Sequence, residues 1–210
     1  MSKSLSLCVL ALLVGCGGGH RNESPKPSPL LNVPIATPAL AGSKVAVLPL
    51  TLLVPDTALA ADTLLGVRAK VLPWADSLIN ESLTGRAPEV TWVGPPELRS
   101  ASRRAAGLAT DPDHLGHAVL RDPSLKVVPD PLRSQIRTLV ALVDARYCLV
   151  PAAAVFLREG DAVKVDLSLV LVDARLGAPV WRSIASAAAA TPAQALRAAM
   201  ARVLPVEGVQ

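Results

Sequence analysis

The sequence predicts an α/β (α+β) domain built on a mixed β-sheet of about five strands and covered by helices. Three observations carry this prediction. In the first part of the domain, short apolar stretches alternate with helical patterns, which is typical of β-α-β crossovers. Three consecutive strand patterns then follow as a meander, and a helical pattern comes after them. The predicted order of elements is therefore β-α-β-α-α-β-β-β-α.

The first three elements are a strand, a helical region and a second strand. Residues 44–50 form an apolar run that indicates a strand buried on both faces. In the helical region, Pro73 favours two helical pieces over one, because proline lacks the amide hydrogen and its ring clashes with the preceding turn. Residues 89–93 alternate about Trp92 and indicate the second strand, which ends at residues 94–96. The predicted buried face of the helical region consists of Ala75, Leu78, Ile79, Ser82 and Leu83.

Two helices are predicted before the meander. The first is a modest helix with the apolar residues Leu98, Ala101, Ala105 and Leu108. In the second, Asp130 is the predicted N-cap and Pro131 the predicted first helical residue. Proline is favoured there because the amide at the first helical position has no hydrogen-bond partner within the helix. The apolar residues of this second helix are Leu132, Ile136, Leu139, Val140 and Val143.

The meander consists of three predicted strands. Residues 147–157 and 162–173 are joined by a tight hairpin loop at 158–161, and a turn at 174–177 leads to a third strand from Val180 to about Ala187. One face of the middle strand is predicted to be buried and the other solvated. The predicted buried residues are Val163, Val165, Leu167 and Leu169, which alternate with Lys164, Asp166 and Ser168.

The last predicted helix begins at a clear signal. Thr191 is the N-cap and Pro192 occupies the first helical position. Its apolar residues are Ala195, Leu196, Ala199, Met200, Val203 and Leu204.

The amino-terminal residues match a bacterial lipoprotein signal. Lys3 precedes an apolar run of about ten residues, half of what a membrane-spanning helix needs. Leu13-Val14-Gly15-Cys16 then follows the pattern of a lipoprotein cleavage box. We predict a signal peptide over residues 1–15, cleavage between Gly15 and Cys16, and a triacylated Cys16 that includes a palmitate and anchors the chain to a membrane.

The predicted domain organisation follows from this signal. Residues 16–43 are the lipidated cysteine and a proline-rich tether, and residues 44–210 are a single globular domain. Proline at this density favours extended chain, so the tether is expected to reach about 80 Å. Its prolines are Pro25, Pro27, Pro29, Pro34 and Pro38.

Composition excludes several classes of function. Apolar residues form 51% of the chain, which is enough for a sizeable core. Aromatic residues form only 2% and basic residues are dispersed, so nucleic acid is not an expected partner. The chain has no Gly-x-Ser-x-Gly elbow and no phosphate-binding glycine-rich loop after the first strand. We therefore predict no catalytic residues and no cofactor, and we expect Cys148 to be a small buried hydrophobe.

Three segments carry a resemblance to a known superfamily. They are Val45-Ala46-Val47-Leu48-Pro49, the apolar strand within residues 145–150, and Val-Leu-Val-Asp-Ala-Arg-Leu-Gly-Ala-Pro-Val-Trp at residues 170–181. Over residues 44–204 the chain resembles bacterial envelope proteins that include the amino-terminal domain of TolB, the curli-secretion lipoprotein CsgG and the lipoprotein activators of penicillin-binding proteins.

The resemblance implies a TolB-N/CsgG-like fold and a binding or assembly role instead of an enzymatic one. The pore-forming branch is not expected, because the turns at 158–161 and 174–178 are too short to hold membrane-crossing hairpins. In the lipoprotein families that this chain resembles, Gly17 after the cysteine favours sorting to the outer membrane, facing the periplasm.

One cluster has the composition of a metal site. His114 and His117, at i, i+3 spacing, could share a helical face beside Asp113. Alternatively, Asp113 caps a helix and the histidines are solvated. We predict no metal site and retain these residues as candidates only. Similarly, Arg99, Arg103 and Arg104 form either a patch for phospholipid or an acidic partner, or a solvated helix face.

The sequence therefore predicts a lipid-anchored, non-enzymatic envelope protein that binds a protein partner in envelope assembly or surface secretion. The alternatives are a periplasmic small-molecule or metal-binding module, and a hydrolase with dispersed catalytic residues. Exposed apolar residues around a sheet edge would favour a protein partner, and a deep pocket with convergent polar groups would favour a ligand.

Overall fold

The computed structural model describes residues 30–204. Within this range, six strands form one mixed sheet and four α-helices pack on its two faces. The strands are β1 (Lys44–Val47), β2 (Leu53–Pro55), β3 (Thr91–Val93), β4 (Tyr147–Glu159), β5 (Ala162–Asp173) and β6 (Ala178–Ala189). The helices are α1 (Arg68–Arg86), α2 (Pro95–Arg104), α3 (Leu132–Leu142) and α4 (Pro192–Val203). None of the helices in residues 30–204 has both the length and the apolar content needed to cross a membrane.

The sheet combines parallel crossovers with an antiparallel meander, in the order β3-β1-β4-β5-β6. Strand β1 is parallel to both β3 and β4, whereas β4, β5 and β6 are antiparallel. The predicted fold class and the predicted order of helices and strands are confirmed. The sequence analysis missed β2, a three-residue strand parallel to the far end of β4, because three residues show no usable periodicity.

The sheet separates two apolar layers. Helices α1 and α4 cover one face, while α2, α3 and a short 3₁₀ helix (His117–Arg121) cover part of the other. Successive residues of β1 alternate between the layers, since Val45 and Val47 belong to the first and Ala46 to the second. This arrangement confirms that β1 is buried on both faces.

Helix α1 corrects the prediction of two helical pieces. It is continuous, with Pro73 inside it and its ring on the exposed side. A proline inside a helix removes the backbone hydrogen bond to the carbonyl four residues earlier and its ring clashes with that carbonyl. Here this carbonyl belongs to Ala69 in the first turn, so the helix is destabilised only near one end of its 19 residues. The predicted buried face, from Ala75 to Leu83, is correct.

The starts and ends of α2 and α3 also differ from the prediction. Helix α2 ends at Arg104, and Leu108 lies beyond it with 82% of its surface exposed. Helix α3 begins at Leu132, so Pro131 is its N-cap instead of its first residue. Asp130 makes no capping hydrogen bond, because its carboxylate accepts from Arg133 instead.

The meander is longer than predicted. Its first loop contains only Gly160 and Asp161, because Glu159 already pairs with Ala162, and Gly160 takes a positive φ of 60°. The predicted alternation in β5 holds as far as Leu169. From Val170 to Asp173 both faces of β5 are buried, because the second apolar layer covers that end of the sheet.

Residues 30–43, here called the strap, lie against the domain. Residue Leu31 forms a parallel bridge with Ile184 of β6, and Ile35 and Leu40 are buried in the first apolar layer. The sequence analysis assigns these residues to the tether and starts the domain at residue 44. Proline does not prevent such packing, since a chain in an extended conformation can still direct an apolar side chain toward the core every few residues. The tether over residues 16–29, the signal peptide and Cys16 lie outside the described residues and stay predictions.

Candidate functional site

The three candidate metal ligands do not converge. His114 is exposed, with Nδ1 3.2 Å from Oδ2 of Asp111, whereas His117 is fully buried. Asp111, and not Asp113, caps a separate 3₁₀ helix (Pro112–His114), because its carboxylate accepts a hydrogen bond from the Asp113 amide at 3.1 Å. Within residues 30–204, no group of three or more His, Cys, Asp or Glu side chains is placed to hold a metal ion.

Asp113 takes part in a three-residue ion network. Arg99 Nε and Nη2 donate to its carboxylate at 2.8 and 2.7 Å, and Arg99 Nη2 also donates to buried Asp76 at 2.9 Å. The Arg99 guanidinium lowers the pKa of Asp113, whereas burial raises the pKa of Asp76. Arg99 thus joins α1 to the 111–114 turn, and only Arg103 and Arg104 of the predicted arginine patch lie on an exposed face.

His117 is a buried neutral side chain. Its Nε2 lies 3.2 Å from Oγ1 of Thr51, and its Nδ1 has no hydrogen-bond partner among the described residues. Burial lowers its pKa to about 4, against the smaller opposite effect of the Pro151 and Pro49 backbone. Cys148 is buried in the second apolar layer as predicted, and burial raises the pKa of its thiol.

The turn between β5 and β6 is built around the Asp173 carboxylate. Oδ1 of this buried side chain accepts hydrogen bonds from the amides of Arg175 at 2.9 Å and Leu176 at 3.1 Å. Gly177 closes the turn with a φ of 66°, and a Cβ at this position would lie 2.5 Å from Cδ of Arg133. The Asp-Ala-Arg-Leu-Gly residues at 173–177 therefore form a tight turn whose last position favours glycine, because of its positive φ.

Three arginine side chains contact the turn between β5 and β6. Arg146 donates from Nε at 3.1 Å and from Nη2 at 2.9 Å to Oδ2 of Asp173. The Arg137 guanidinium lies 3.4 and 3.3 Å from the carbonyls of Ala174 and Arg175, and Arg133 runs across Gly177. Burial acts to raise the pKa of Asp173, but its hydrogen bonds from Leu176, Arg146 and Arg175 outweigh burial and lower it. The carboxylate is therefore charged at neutral pH.

A concave surface of about 380 Å³ lies between this turn and the strap, and we call it the turn groove. Leu171, Ile35 and Leu40 are its buried floor, and Tyr147 and Trp181 are its half-buried walls. The groove is lined by Ile35, Ala36, Ala39, Leu40, Arg146, Tyr147, Leu171, Asp173, Leu176, Val180 and Trp181.

The rim of the turn groove combines exposed apolar side chains with aromatic ones that are fixed in place. Leu176 exposes 68% of its surface and Val180 exposes 49%. Trp181 Nε1 donates to the Pro34 carbonyl at 3.1 Å, which locks its indole against the strap. The Arg146 guanidinium lies 4.9 Å from the centre of the Tyr147 ring. Large rigid side chains beside exposed aliphatic ones are typical of protein-binding surfaces.

The charges beside the turn groove are unequal. Asp173 pairs with Arg146, Asp144 with Lys44 at 3.6 Å, and Asp130 with Arg133. Within residues 30–204, the guanidinium groups of Arg137 and Arg175 form no ion pair with a carboxylate. At the turn that borders the groove there are therefore two arginines whose charge no carboxylate in this range pairs with.

Solved structures of three proteins are similar to this chain. The solution structure of Escherichia coli LpoB matches at 17% identity over 90% of this chain and 85% of that one, with a TM-score of 0.39. The PelC dodecamer from Paraburkholderia phytofirmans matches at 18% identity over 82% and 94%, with a TM-score of 0.42. Lipoprotein GNA1162 from Neisseria meningitidis matches at 13% identity over 70% and 79%, with a TM-score of 0.31.

At these identities, the similarities concern the fold alone. No protein-family model matches the chain, and no curated protein matches it.

Among residues 30–204, no serine, cysteine or histidine lines the turn groove, and Asp173, the carboxylate that does, is already bound by an arginine and two amides. A wider depression of about 590 Å³ beside Arg68, Arg99 and His114 is open to solvent, and its Arg99 and Asp113 neutralise each other. Neither surface presents the enclosed, convergent polar groups typical of a small-molecule site.

Sequence reasoning found part of this surface and missed the rest. The segment from Val170 to Trp181 was noticed because an aspartate followed by a glycine marks a turn between two strand patterns. Part of the groove floor comes from strap residues that the sequence analysis assigns to the tether. Their two buried positions, Ile35 and Leu40, stand among prolines and have no periodicity that would reveal them.

Proposed function

We propose that this chain is a lipid-anchored, non-enzymatic envelope protein whose turn groove binds another protein in envelope assembly or surface secretion. The observation that carries the proposal is the pair of exposed side chains, Leu176 and Val180, beside half-buried Tyr147 and Trp181 at the end of the sheet. Exposed apolar residues grouped around a concavity are a feature of interaction surfaces. The resemblance to envelope binding and assembly proteins agrees with this role.

The proposed anchor limits where the partner can be. Cys16 would hold the chain at the outer membrane on its periplasmic side, and Leu30 already lies on β6. About fourteen residues separate them, and a fully extended chain of that length would reach about 40 Å at roughly 3 Å per residue. This is half of the reach expected from the sequence alone. The partner is therefore expected within a few tens of ångströms of the membrane.

Lipid attachment is tested by the variant Cys16→Ser. A serine hydroxyl cannot take the place of the thiol that carries the diacylglycerol, so we expect loss of the acyl mass and release of the protein from the membrane fraction. Mass spectrometry of the intact protein and fractionation of cells measure both. Cys8→Ser, in the predicted leader, is the matched control and is expected to leave lipidation intact. Unchanged acyl mass in Cys16→Ser would contradict the anchor.

Protein binding is tested by photo-crosslinking in the native envelope. A photoreactive amino acid replaces Leu176 in one form of the lipidated protein and Leu108 in another, because both positions are highly exposed and far apart in sequence. We expect a discrete protein adduct from position 176 that is absent from position 108. Identical adduct patterns from the two positions, or none from position 176, would contradict binding at the turn groove.

A further inference from the structure

We infer that the turn groove recognises an acidic, apolar segment of its partner protein, meaning a stretch of chain that carries carboxylates next to large apolar side chains. This inference rests on the proposed function, since it names the chemistry of the partner that the same surface binds.

Charge complementarity is the first argument. In the lining of the groove, Arg146 exposes 51% of its side chain, whereas its partner Asp173 exposes only 2%. Arg175 lies in the turn that borders the groove and Arg137 contacts the carbonyls of that turn, and neither forms an ion pair with a carboxylate in residues 30–204. An arginine presents five donors in a planar fork that matches a carboxylate. A partner with carboxylates at its edge would supply the missing negative charge, and one with basic residues would be repelled.

The arginines are already held in place, which favours specific recognition. Arg146 uses Nε and one Nη2 hydrogen for Asp173, and its guanidinium is stacked near the Tyr147 ring. Arg137 is fixed against the two turn carbonyls. Because these side chains are ordered before binding, less conformational entropy is lost when their remaining donors meet a carboxylate.

The shape of the surface favours a protein segment over a membrane. A volume of about 380 Å³ lies near the lower end of the range of roughly 300–1,000 Å³ that encloses small ligands, so it fits a few side chains. Its floor is apolar and its walls are aromatic, which suits a leucine or an aromatic residue. A lipid headgroup layer is flat and would contact the rim without filling the concavity.

The experiment selects random peptides displayed on phage against the purified full chain in detergent. We expect a consensus with Asp or Glu beside Leu, Phe or Trp. The synthetic consensus peptide should bind about tenfold more weakly to Arg175→Glu and to Leu176→Asp. Raising the salt concentration should weaken binding several-fold, because surface charges are screened over about 10 Å at 0.1 M.

Two matched variants control this measurement. Arg103→Glu reverses the charge of an exposed arginine on α2, and Leu108→Asp changes an exposed leucine outside the groove. Both are expected to bind the consensus peptide within about twofold of the unaltered chain. Because the substituted residues are all exposed, thermal unfolding midpoints should agree among the variants, so a loss of binding reports on the groove.

Four results would overturn the inference. They are a neutral or basic consensus, equal binding by Leu176→Asp and Leu108→Asp, groove-dependent binding to vesicles of phosphatidylethanolamine with phosphatidylglycerol, and self-association that Leu176→Asp abolishes. The outcome is distinguishable from failure of the proposed function. A protein crosslink at position 176 together with a neutral consensus would support protein binding at the groove and refute only the recognition of acidic residues. The Cys16→Ser variant tests the lipid anchor independently of both.

Discussion

At the residue scale, Asp173 positions the exposed part of the turn groove. Its two carboxylate oxygens accept from two backbone amides and from one guanidinium, which fixes the conformation that turns Leu176 outward. A buried carboxylate without these partners would be costly, since each unpaired polar group costs about 1–3 kcal/mol and a charge more. Asp173 is thus a positioning residue for Leu176, which itself makes the exposed contact surface.

His117 gives the residue-scale prediction of pH dependence. Its pKa is about 4 in the folded chain and near 6.5 when unfolded, so between these values the unfolded chain binds a proton that the folded chain does not. The free energy of unfolding should therefore decrease as the pH falls from 6.5 to about 4, by about 3 kcal/mol from this residue. Urea unfolding across this pH range measures the decrease.

The comparison that isolates His117 uses two variants. His117→Leu should remove this part of the pH dependence, because leucine carries no titratable group. His114→Gln changes an exposed histidine on the same segment and should keep the slope of the parent chain. If His117→Leu kept the full slope as well, the burial of a neutral imidazole would not be the cause.

At the scale of elements, the strap completes both the sheet edge and the groove. The Leu30 carbonyl accepts from the Ile184 amide at 2.8 Å, and the Asn32 amide donates back to the Ile184 carbonyl at 2.8 Å. The Asn32 side chain accepts from the Ser186 amide at 2.7 Å, with Asn32 at a positive φ of 50° that asparagine tolerates. The strap thereby protects part of an edge strand that would otherwise be open to pairing.

The packing of the strap can be measured by truncation of one side chain. Ile35→Ala should lower the free energy of unfolding by about 2–4 kcal/mol, because Ile35 is buried in the first apolar layer and its removal leaves a cavity. Leu31→Ala, at a strap residue that is 61% exposed, should change it by less than about 0.5 kcal/mol. Urea denaturation provides both values. Equal, small effects would mean that the strap does not belong to the folded core.

The elements that sequence reasoning found are those with local periodicity. The helical spacing from Ala75 to Leu83 and the alternation from Val163 to Leu169 are visible without any tertiary contact. The sequence analysis did not predict that α1 continues through Pro73, because the free-energy cost of a proline depends on where the helix begins. Tertiary packing of the buried face of α1 also offsets that cost.

At the scale of the whole molecule, the turn groove lies where three separate parts of the chain meet. Strand β4 begins there, β5 ends there, and the strap crosses the same end of the sheet. Such a site depends on contacts between residues more than a hundred positions apart, such as Trp181 with Pro34. The sequence could therefore indicate the turn but not the concavity, because nothing local relates residues 35–40 to residues 171–181.

The two apolar layers both contribute to the turn groove and its border, since Ile35, Leu40 and Leu171 of the groove floor belong to the first layer. The first layer, with Phe156, Leu167 and Met200 fully buried, is covered by α1, α4 and the strap. The second layer includes Ile136 and Leu139 of α3, whose Arg133 and Arg137 reach the turn. Helix α3 thus places two arginines at the turn that borders the groove, while its apolar side packs in the second layer.

The parallel course of the strap along β6 also has a mechanical meaning. In a chain held at Cys16 and bound to a partner at the turn groove, tension would reach the folded domain first at Leu30. The hydrogen bonds of Leu30 and Asn32 with β6 would carry that load, followed by Trp181 with Pro34. Detachment of the strap would remove part of the groove floor before the strands of the sheet separate. Tension on the lipid anchor would then weaken binding of the partner at the turn groove.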